Sequence, residues 1–211
     1  MNATKARLWF GVTALVVLSG VVVQVFVTAN AGPGHFHTPL TRALNVFAFF
    51  TVQSNLIVGV TSLLLAVNPN RASTVFRAFR LTGVVCIAIT GVVFHVVLAK
   101  LLDLESWAFV ADKMLHTVVP VLGVLGWLLY GPRGLTSRRV LWLSVIFPAC
   151  WLIFTLIRGE IVHFYPYPFV DVDVLGYLPV LVNCVWISVL YLGVAAGATA
   201  LDARLARTGA R

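Results

Sequence analysis

The feature that most limits how this chain can fold is a series of six apolar runs, each about as long as a helix that crosses a bilayer. They cover residues 8–29, 43–67, 81–98, 114–130, 140–157 and 175–196, and charged residues, Pro or Gly separate them. Hydrophobic residues make up 60% of the chain and charged residues only 10%, against about a quarter charged in soluble domains. We therefore expect an all-α integral membrane protein, a bundle of six transmembrane helices.

The connections between the runs are too short to fold separately, so residues 1–211 are predicted to form a single six-helix domain. Lys5 and Arg7 precede the first run as in a signal peptide, but the run is longer than the usual apolar core of about 7 to 15 residues. We expect it to remain as the first span. Gly193 and Gly197 have the spacing of a helix-packing motif, which suits a homodimer or packing within the bundle; we favour packing and a monomer.

The basic residues predict the orientation, because cytoplasmic loops are enriched in Lys and Arg. With both termini in the cytoplasm, the outer side holds Arg42, Lys100, Lys113 and Arg158, and the other eleven of the 15 Lys and Arg lie inside. The net charge of +8 is then a property of the cytoplasmic face, where it attracts lipid headgroups and gives no reason to expect nucleic acid as a partner. We expect a multi-pass protein of the plasma membrane.

Polar residues at membrane depth collect in the outer half of the predicted bundle. Spans two to six bring Thr51, His95, His116, Arg158 and Asn183 to similar depths, judged from a helical rise of 1.5 Å per residue. Polar side chains in a membrane usually face the bundle interior or a cavity, because lipid gives them no partner. The pattern predicts one polar cavity that opens outward.

The second span is the most polar of the six. Thr51, Ser54 and Asn55 are spaced i, i+3 and i+4, so they share one helix face. In span four, His116 precedes Pro120, and an uncharged imidazole is a suitable general base near neutral pH. Two plainer interpretations stay open: hydroxyls and amides that join helices by hydrogen bonds, and a histidine that only packs in the core.

The segment after span five is rich in aromatic residues and proline. In Tyr165-Pro166-Tyr167-Pro168-Phe169 the prolines favour an extended path, and aromatic rings suit the headgroup level. We expect the segment to lie across the outer mouth, where Tyr167 joins the candidate pocket. The alternative is a simple interfacial anchor.

Three segments together resemble the androgen-induced, six-span integral membrane hydrolase family, including its bacterial branch. They are Phe50-Thr51-Val52-Gln53-Ser54-Asn55 in span two, Leu115-His116-Thr117-Val118-Val119-Pro120 in span four, and the Tyr165–Phe169 segment. Their order and span assignment agree along nearly the whole chain.

The resemblance implies an intramembrane threonine hydrolase that cleaves lipid esters, such as fatty acid esters of hydroxy fatty acids. It places the nucleophile on Thr51 and the assisting base on His116. Asn55, Asn183 and Arg158 are candidate donors to the oxyanion, and Ser54, His95 and Tyr167 complete the predicted pocket. No residue that orients the imidazole is evident, although Asp112 lies one turn from His116.

Other classes of function remain open at the level of sequence. His95 and His116 on adjacent spans could ligate one haem, and His35 and His37 could hold a surface metal. A lipid or small-ligand binder without chemistry, or a small transporter, could use the same outward cavity. The three cysteines match no metal-binding spacing, and we predict neither a metal nor a cofactor.

Overall fold

The computed structural model describes residues 3–32, 34–101 and 103–208, and in this part of the chain six helices are long and apolar enough to cross a membrane. Their bounds are Ala3–Ala29, Phe50–Val67, Thr74–Leu101, Ser106–Tyr130, Arg138–Val162 and Tyr177–Thr208, called spans one to six. The described residues contain no strand. The predicted class, an all-α bundle of six membrane-spanning helices, is confirmed; residues 1, 2, 33, 102 and 209–211 of the predicted domain lie outside the described residues.

The spans run alternately up and down, so the start of span one and the end of span six lie at the same face of the bundle. The Arg7 guanidinium donates hydrogen bonds to the carbonyl oxygens of Ala66 and Val67, at 2.8 and 2.7 Å, which joins the start of span one to the end of span two. The Asp202 carboxylate of span six accepts hydrogen bonds from the backbone N–H groups of Gly134 and Thr136, between spans four and five. We call this end the termini face and the opposite end the far face.

The main apolar core lies among spans one to four. Val17, Val58, Ile87, Leu115 and Val119 are all at most 2% exposed and pack together. The large apolar side chains on the outside of the bundle suit a hydrocarbon solvent, since lipid tails are as apolar as they are.

Span three begins earlier than the sequence indicated. Its helix starts at Thr74, capped by the Ser73 hydroxyl, which accepts a hydrogen bond from the Phe76 N–H. The prediction placed the start at residue 81 because Arg77 and Arg80 looked like loop residues. Arg80 instead lies inside the helix, 3% exposed, with its guanidinium 5.1 Å from the centroid of the Phe10 ring.

Of the other boundaries that differ from the predicted ones, two bear on the functional site. Span four begins at Ser106 rather than at residue 114, which puts Asp112 inside the helix. Span two was predicted as one helix from residue 43. The chain instead forms a short helix, Pro39–Asn45, a 3-10 turn, Val46–Ala48, and an extended residue at Phe49 before the spanning helix starts at Phe50.

Spans three and four each contain one π-helical stretch, Phe94–Leu98 and Met114–Val118. Such stretches insert an extra residue into a turn, turn side chains out of the regular α-helical pattern, and are frequent at functional sites. Here they supply two rings that stack on each other, Phe94 and His116.

The prediction that Gly193 and Gly197 pack within the bundle is wrong. Both are exposed, and a Cβ added at either would meet no other atom within 4 Å. Span six packs against span three through its other side, which carries Tyr191 and Ala195.

Candidate active site

Four polar side chains from spans two and four and from the segment after span five meet at the start of span two. The Nε2 atom of His116 lies 3.3 Å from Oγ1 of Thr51. Its Nδ1 atom lies 2.9 Å from Oδ1 of Asp112. Oγ1 of Thr51 lies 3.1 Å from Oη of Tyr167. A carboxylate, an imidazole and a hydroxyl therefore stand in a row, with a phenol beside the hydroxyl.

The position of Thr51 follows from the break in span two. The first N–H groups of a helix have no partner within the helix, and Phe49 provides no side-chain cap. The Thr51 N–H donates to Oη of Tyr167 instead, at 3.0 Å. Because Thr51 lies in the first helical turn and is only 5% exposed, its hydroxyl is held in place against both Tyr167 and His116.

His116 is fixed by its ring face and by both of its ring nitrogens. Its ring stacks on Phe94, with centroids 3.9 Å apart and planes at 14°. Asp112 is 5% exposed and one turn away on the same helix. Its contact with Nδ1 has the distance of an ion pair but lacks the alignment of a hydrogen bond. The orientation of the imidazole thus depends on the stacking as well as on the carboxylate.

Tyr167 reaches the site along an irregular segment. His163 adopts a left-handed conformation, φ 50°, at the end of span five, and the chain then runs through Pro166 and Pro168. Burial raises the pKa of the Tyr167 hydroxyl above its ordinary value, and its hydrogen bonds with Thr51 offset part of this rise. Tyr167 therefore stays protonated at neutral pH and can donate a hydrogen bond.

Two cavities adjoin the start of span two. The larger, about 600 Å³, lies toward the far face, and Thr51, Asp112, His116 and Tyr167 are part of its wall. The smaller, about 260 Å³, lies among spans two, three, five and six, and its wall is almost entirely apolar. Thr51 and Tyr167 line both cavities.

The other polar residues of span two do not point into this space. The Asn55 side chain is fully buried and donates hydrogen bonds to the carbonyl oxygens of Thr51 and Leu115, at 2.8 and 3.2 Å. Ser54 is also fully buried and lies beside the Cys86 thiol of span three. Asn55 therefore joins spans two and four, the plainer of the two interpretations of its spacing.

Arg158 and Asn183 likewise form hydrogen bonds away from Thr51. The Arg158 guanidinium donates to Oδ1 of Asn45 at 2.7 Å and lies over the rings of Phe36 and Phe164. The Asn183 amide donates to the carbonyl oxygen of Phe169 at 2.9 Å. They hold segments around the cavities, and Tyr167 is the predicted pocket residue that reaches Thr51.

His95 is not part of the Thr51 cluster. It is exposed, its Nδ1 is 2.8 Å from the carbonyl oxygen of Gly91, and its Nε2 is 3.2 Å from the Thr117 hydroxyl. Neither of the two cavities has His95 in its wall. Both ring nitrogens of His95 thus contact groups outside the Thr51 cluster. Among the described residues no group of three or more His, Cys, Asp and Glu side chains could hold a metal ion.

Asp112 was noted in the sequence as one turn from His116 but was not assigned to the site. The signal was its i, i+4 spacing from His116, which places both side chains on one helix face. The predicted start of span four at residue 114 left Asp112 in a loop, where that spacing has no geometric meaning.

The fold and the site define a class: a six-span helical membrane protein with a buried Thr–His–Asp cluster near one face. Comparison of the chain with protein-family models, with curated proteins and with solved structures found no match.

Proposed function

We propose that this chain is an intramembrane hydrolase of lipid esters, with Thr51 as nucleophile, His116 as general base and Asp112 as the residue that orients His116. The observation that carries the proposal is the row of contacts from Asp112 through His116 to Thr51, at 2.9 and 3.3 Å, in the wall of a cavity. A nucleophile, a base within reach of it and a third group behind the base are the signature of an activated hydroxyl.

The proposed reaction has two halves. The Thr51 hydroxyl attacks the ester carbonyl carbon while Nε2 of His116 takes the hydroxyl proton. The bond between the carbonyl carbon and the alcohol oxygen then breaks, and His116 returns the proton to the departing alcohol. A water molecule next attacks the acyl-threonine, again with His116 as base, which releases the acid and restores Thr51.

Tyr167 is placed to assist the charged intermediate. Attack on the ester turns the carbonyl oxygen into an oxyanion next to Oγ1, and preorganised donors there lower the barrier. The Tyr167 hydroxyl is 3.1 Å from Oγ1 and stays protonated. We assign it the role of oxyanion donor in place of Asn55, Asn183 and Arg158, whose amide and guanidinium groups are hydrogen bonded elsewhere.

The membrane setting suggests the class of substrate. Both cavities lie within or beside the spans, so a lipid ester can reach Thr51 without leaving the bilayer. The resemblance to the androgen-induced hydrolase family agrees with this substrate class. With the termini in the cytoplasm, as the basic residues favour, the site works in the outer half of the plasma membrane, and the polar row within a single chain suits a monomer.

The experiment is covalent labelling of the purified protein by a fluorophosphonate probe, combined with ester turnover in detergent micelles. Wild type and Thr51→Ser are expected to be labelled, whereas Thr51→Val and His116→Ala lose both labelling and turnover. The matched control is Thr61→Val, the same exchange at a buried threonine about 15 Å further along the same helix.

Labelling that persists in Thr51→Val contradicts the proposal. So does a wild-type protein that binds lipid esters without being labelled or turning them over. That second outcome favours a non-catalytic lipid binder, which would use the same cavities.

A further inference from the structure

We propose that the smaller cavity is the acyl-chain subsite of this enzyme, that it fills sideways from the bilayer between spans five and six, and that it selects medium-chain acyl groups. The inference rests on the proposed function for the meaning of Thr51. It adds which part of the substrate lies on which side of the nucleophile.

The two cavities meet at the reacting atoms. Thr51 and Tyr167 belong to both walls, and so do Phe94 and Leu98. If the carbonyl carbon of an ester lies at Oγ1 of Thr51, its acyl part and its alcohol part can therefore extend into different cavities. One leads into the larger cavity with His116 and Asp112, the other into the smaller cavity.

The wall of the smaller cavity suits a hydrocarbon chain. Besides Thr51 it consists mainly of aliphatic and aromatic side chains, among them Ile89, Val93, Leu152 and Ile187, and contains no charged residue. The larger cavity carries Asp112, His116 and Arg42. Since burying an apolar chain against apolar side chains is favourable and burying a polar alcohol there is costly, the acyl half belongs in the smaller cavity.

The length of this cavity follows from the helices that line it. Its wall runs along span five from Trp151 to Trp142 and along span six from Cys184 to Leu192, always away from Thr51 toward the termini face. Nine and eight helical residues correspond to about 14 and 12 Å. A medium-chain acyl group has about this length when extended, and a cavity volume of about 260 Å³ leaves little room for a longer chain.

The cavity opens to the side. Ala149 of span five and Ile187 and Ser188 of span six belong to its wall and are nevertheless exposed on the surface of the bundle. Spans five and six approach each other at the inner stretch Arg138–Ser144, whereas Ile146–Val162 makes only sparse backbone contact with span six. The opening faces hydrocarbon, so an acyl chain can enter from the bilayer.

The test uses Ser188→Trp, which places a large ring in the cavity, and Val189→Trp as its matched control, because Val189 is the next residue and faces outward at 56% exposure. Turnover of p-nitrophenyl acetate, octanoate and palmitate is measured in micelles. Wild type is expected to prefer octanoate over acetate by more than about tenfold in kcat/KM, as apolar pockets discriminate by chain length. Ser188→Trp is expected to lower octanoate turnover to about the level of acetate turnover and so to remove this preference, while Val189→Trp keeps it.

The outcomes separate the two proposals. Ester turnover that depends on Thr51 but shows no octanoate preference, or a preference that survives in Ser188→Trp, overturns the acyl subsite alone. If no ester is turned over, the acyl subsite is tested by measuring how a brominated octanoic acid quenches the fluorescence of Trp142 and Trp151. Quenching that Ser188→Trp abolishes and Val189→Trp retains supports the subsite without the hydrolase, and quenching equal in both variants overturns the subsite as well.

Discussion

Phe94 and His116 stack face to face, with ring centroids 3.9 Å apart and planes at 14°, and each ring comes from a π-helical stretch of its own span. The stacking joins spans three and four at the depth of Thr51. The stacking restricts tilting of the imidazole out of its plane. It leaves the two ring nitrogens accessible to Thr51 and Asp112.

Replacing Phe94 with Leu is therefore expected to slow the reaction while leaving the fold intact. An aromatic pair of this kind contributes about 0.5–1.5 kcal/mol beyond burial, so kcat should fall by about two- to twelvefold. The measurement is steady-state ester turnover. Phe109→Leu, a ring of span four on the outside of the bundle at 48% exposure, is the control and should have wild-type kcat. Equal effects of both changes would contradict a positioning role for Phe94.

Asp112→Asn tests the group behind the imidazole. The amide can present the wrong atom to Nδ1 and cannot stabilise an imidazolium, so kcat should fall by about 10³- to 10⁴-fold with KM nearly constant. Asp173→Asn breaks an exposed His–Asp pair, His163 with Asp173 at 3.2 Å, and should leave kcat unchanged. A small loss in Asp112→Asn, close to that of the control, would remove Asp112 from the mechanism.

Tyr167→Phe removes the hydroxyl beside Thr51 and keeps the ring. We expect kcat to fall by about 10²- to 10³-fold, the usual effect of losing one oxyanion donor. Tyr165→Phe is a close control, because the buried Tyr165 hydroxyl has no hydrogen-bond partner among the residues that the structure describes. Its loss should alter neither turnover nor thermal stability. If both changes reduce kcat alike, the segment acts through its packing and the donor role is wrong.

Gly159→Ala tests how the Tyr165–Phe169 segment is held. A Cβ at position 159 would overlap the ring of Tyr165, which packs directly on this glycine. Overpacking of this kind costs about 1–3 kcal/mol, so the thermal denaturation midpoint should drop, and turnover should fall as Tyr167 shifts. Gly11→Ala lies within span one, where a Cβ meets no described atom outside its own helix backbone within 4 Å, so turnover should be unchanged and the midpoint should not fall. An unchanged midpoint in Gly159→Ala would mean that the ring moves aside without cost.

The number of spans could be read from the sequence, because each span must satisfy its own backbone hydrogen bonds in lipid and so needs a long apolar run. The boundaries of the spans could not be read from the sequence in this way. Charged residues were taken as the ends of spans three and four, but Arg80 is buried against the Phe10 ring and Asp112 contacts His116. Contacts with another helix or with the next turn of the same helix make a charged residue tolerable within a span. A hydropathy profile contains no information about such contacts.

Part of the site could also be predicted from the sequence. Depth along the helix brought Thr51 and His116 to one level, and the structure brings them within 3.3 Å. The depth of a residue along its helix does not show which way its side chain points. For this reason Asn55, Asn183 and Arg158 were assigned to a space that their side chains do not face. The break at Phe49, which aims Thr51 at Tyr167, depends on an irregular backbone that helical periodicity cannot foresee.

The hydrogen bond from the Thr51 amide to Tyr167 also has a consequence for how the protein is made. Spans one to four, which carry Thr51, His116 and Asp112, are synthesised before residue 167. Until Tyr167 is added, the Thr51 amide in the first turn of span two lacks the partner that it has in the folded protein. The last third of the chain supplies that partner, so the first turn of span two is completed only after spans one to five have been made.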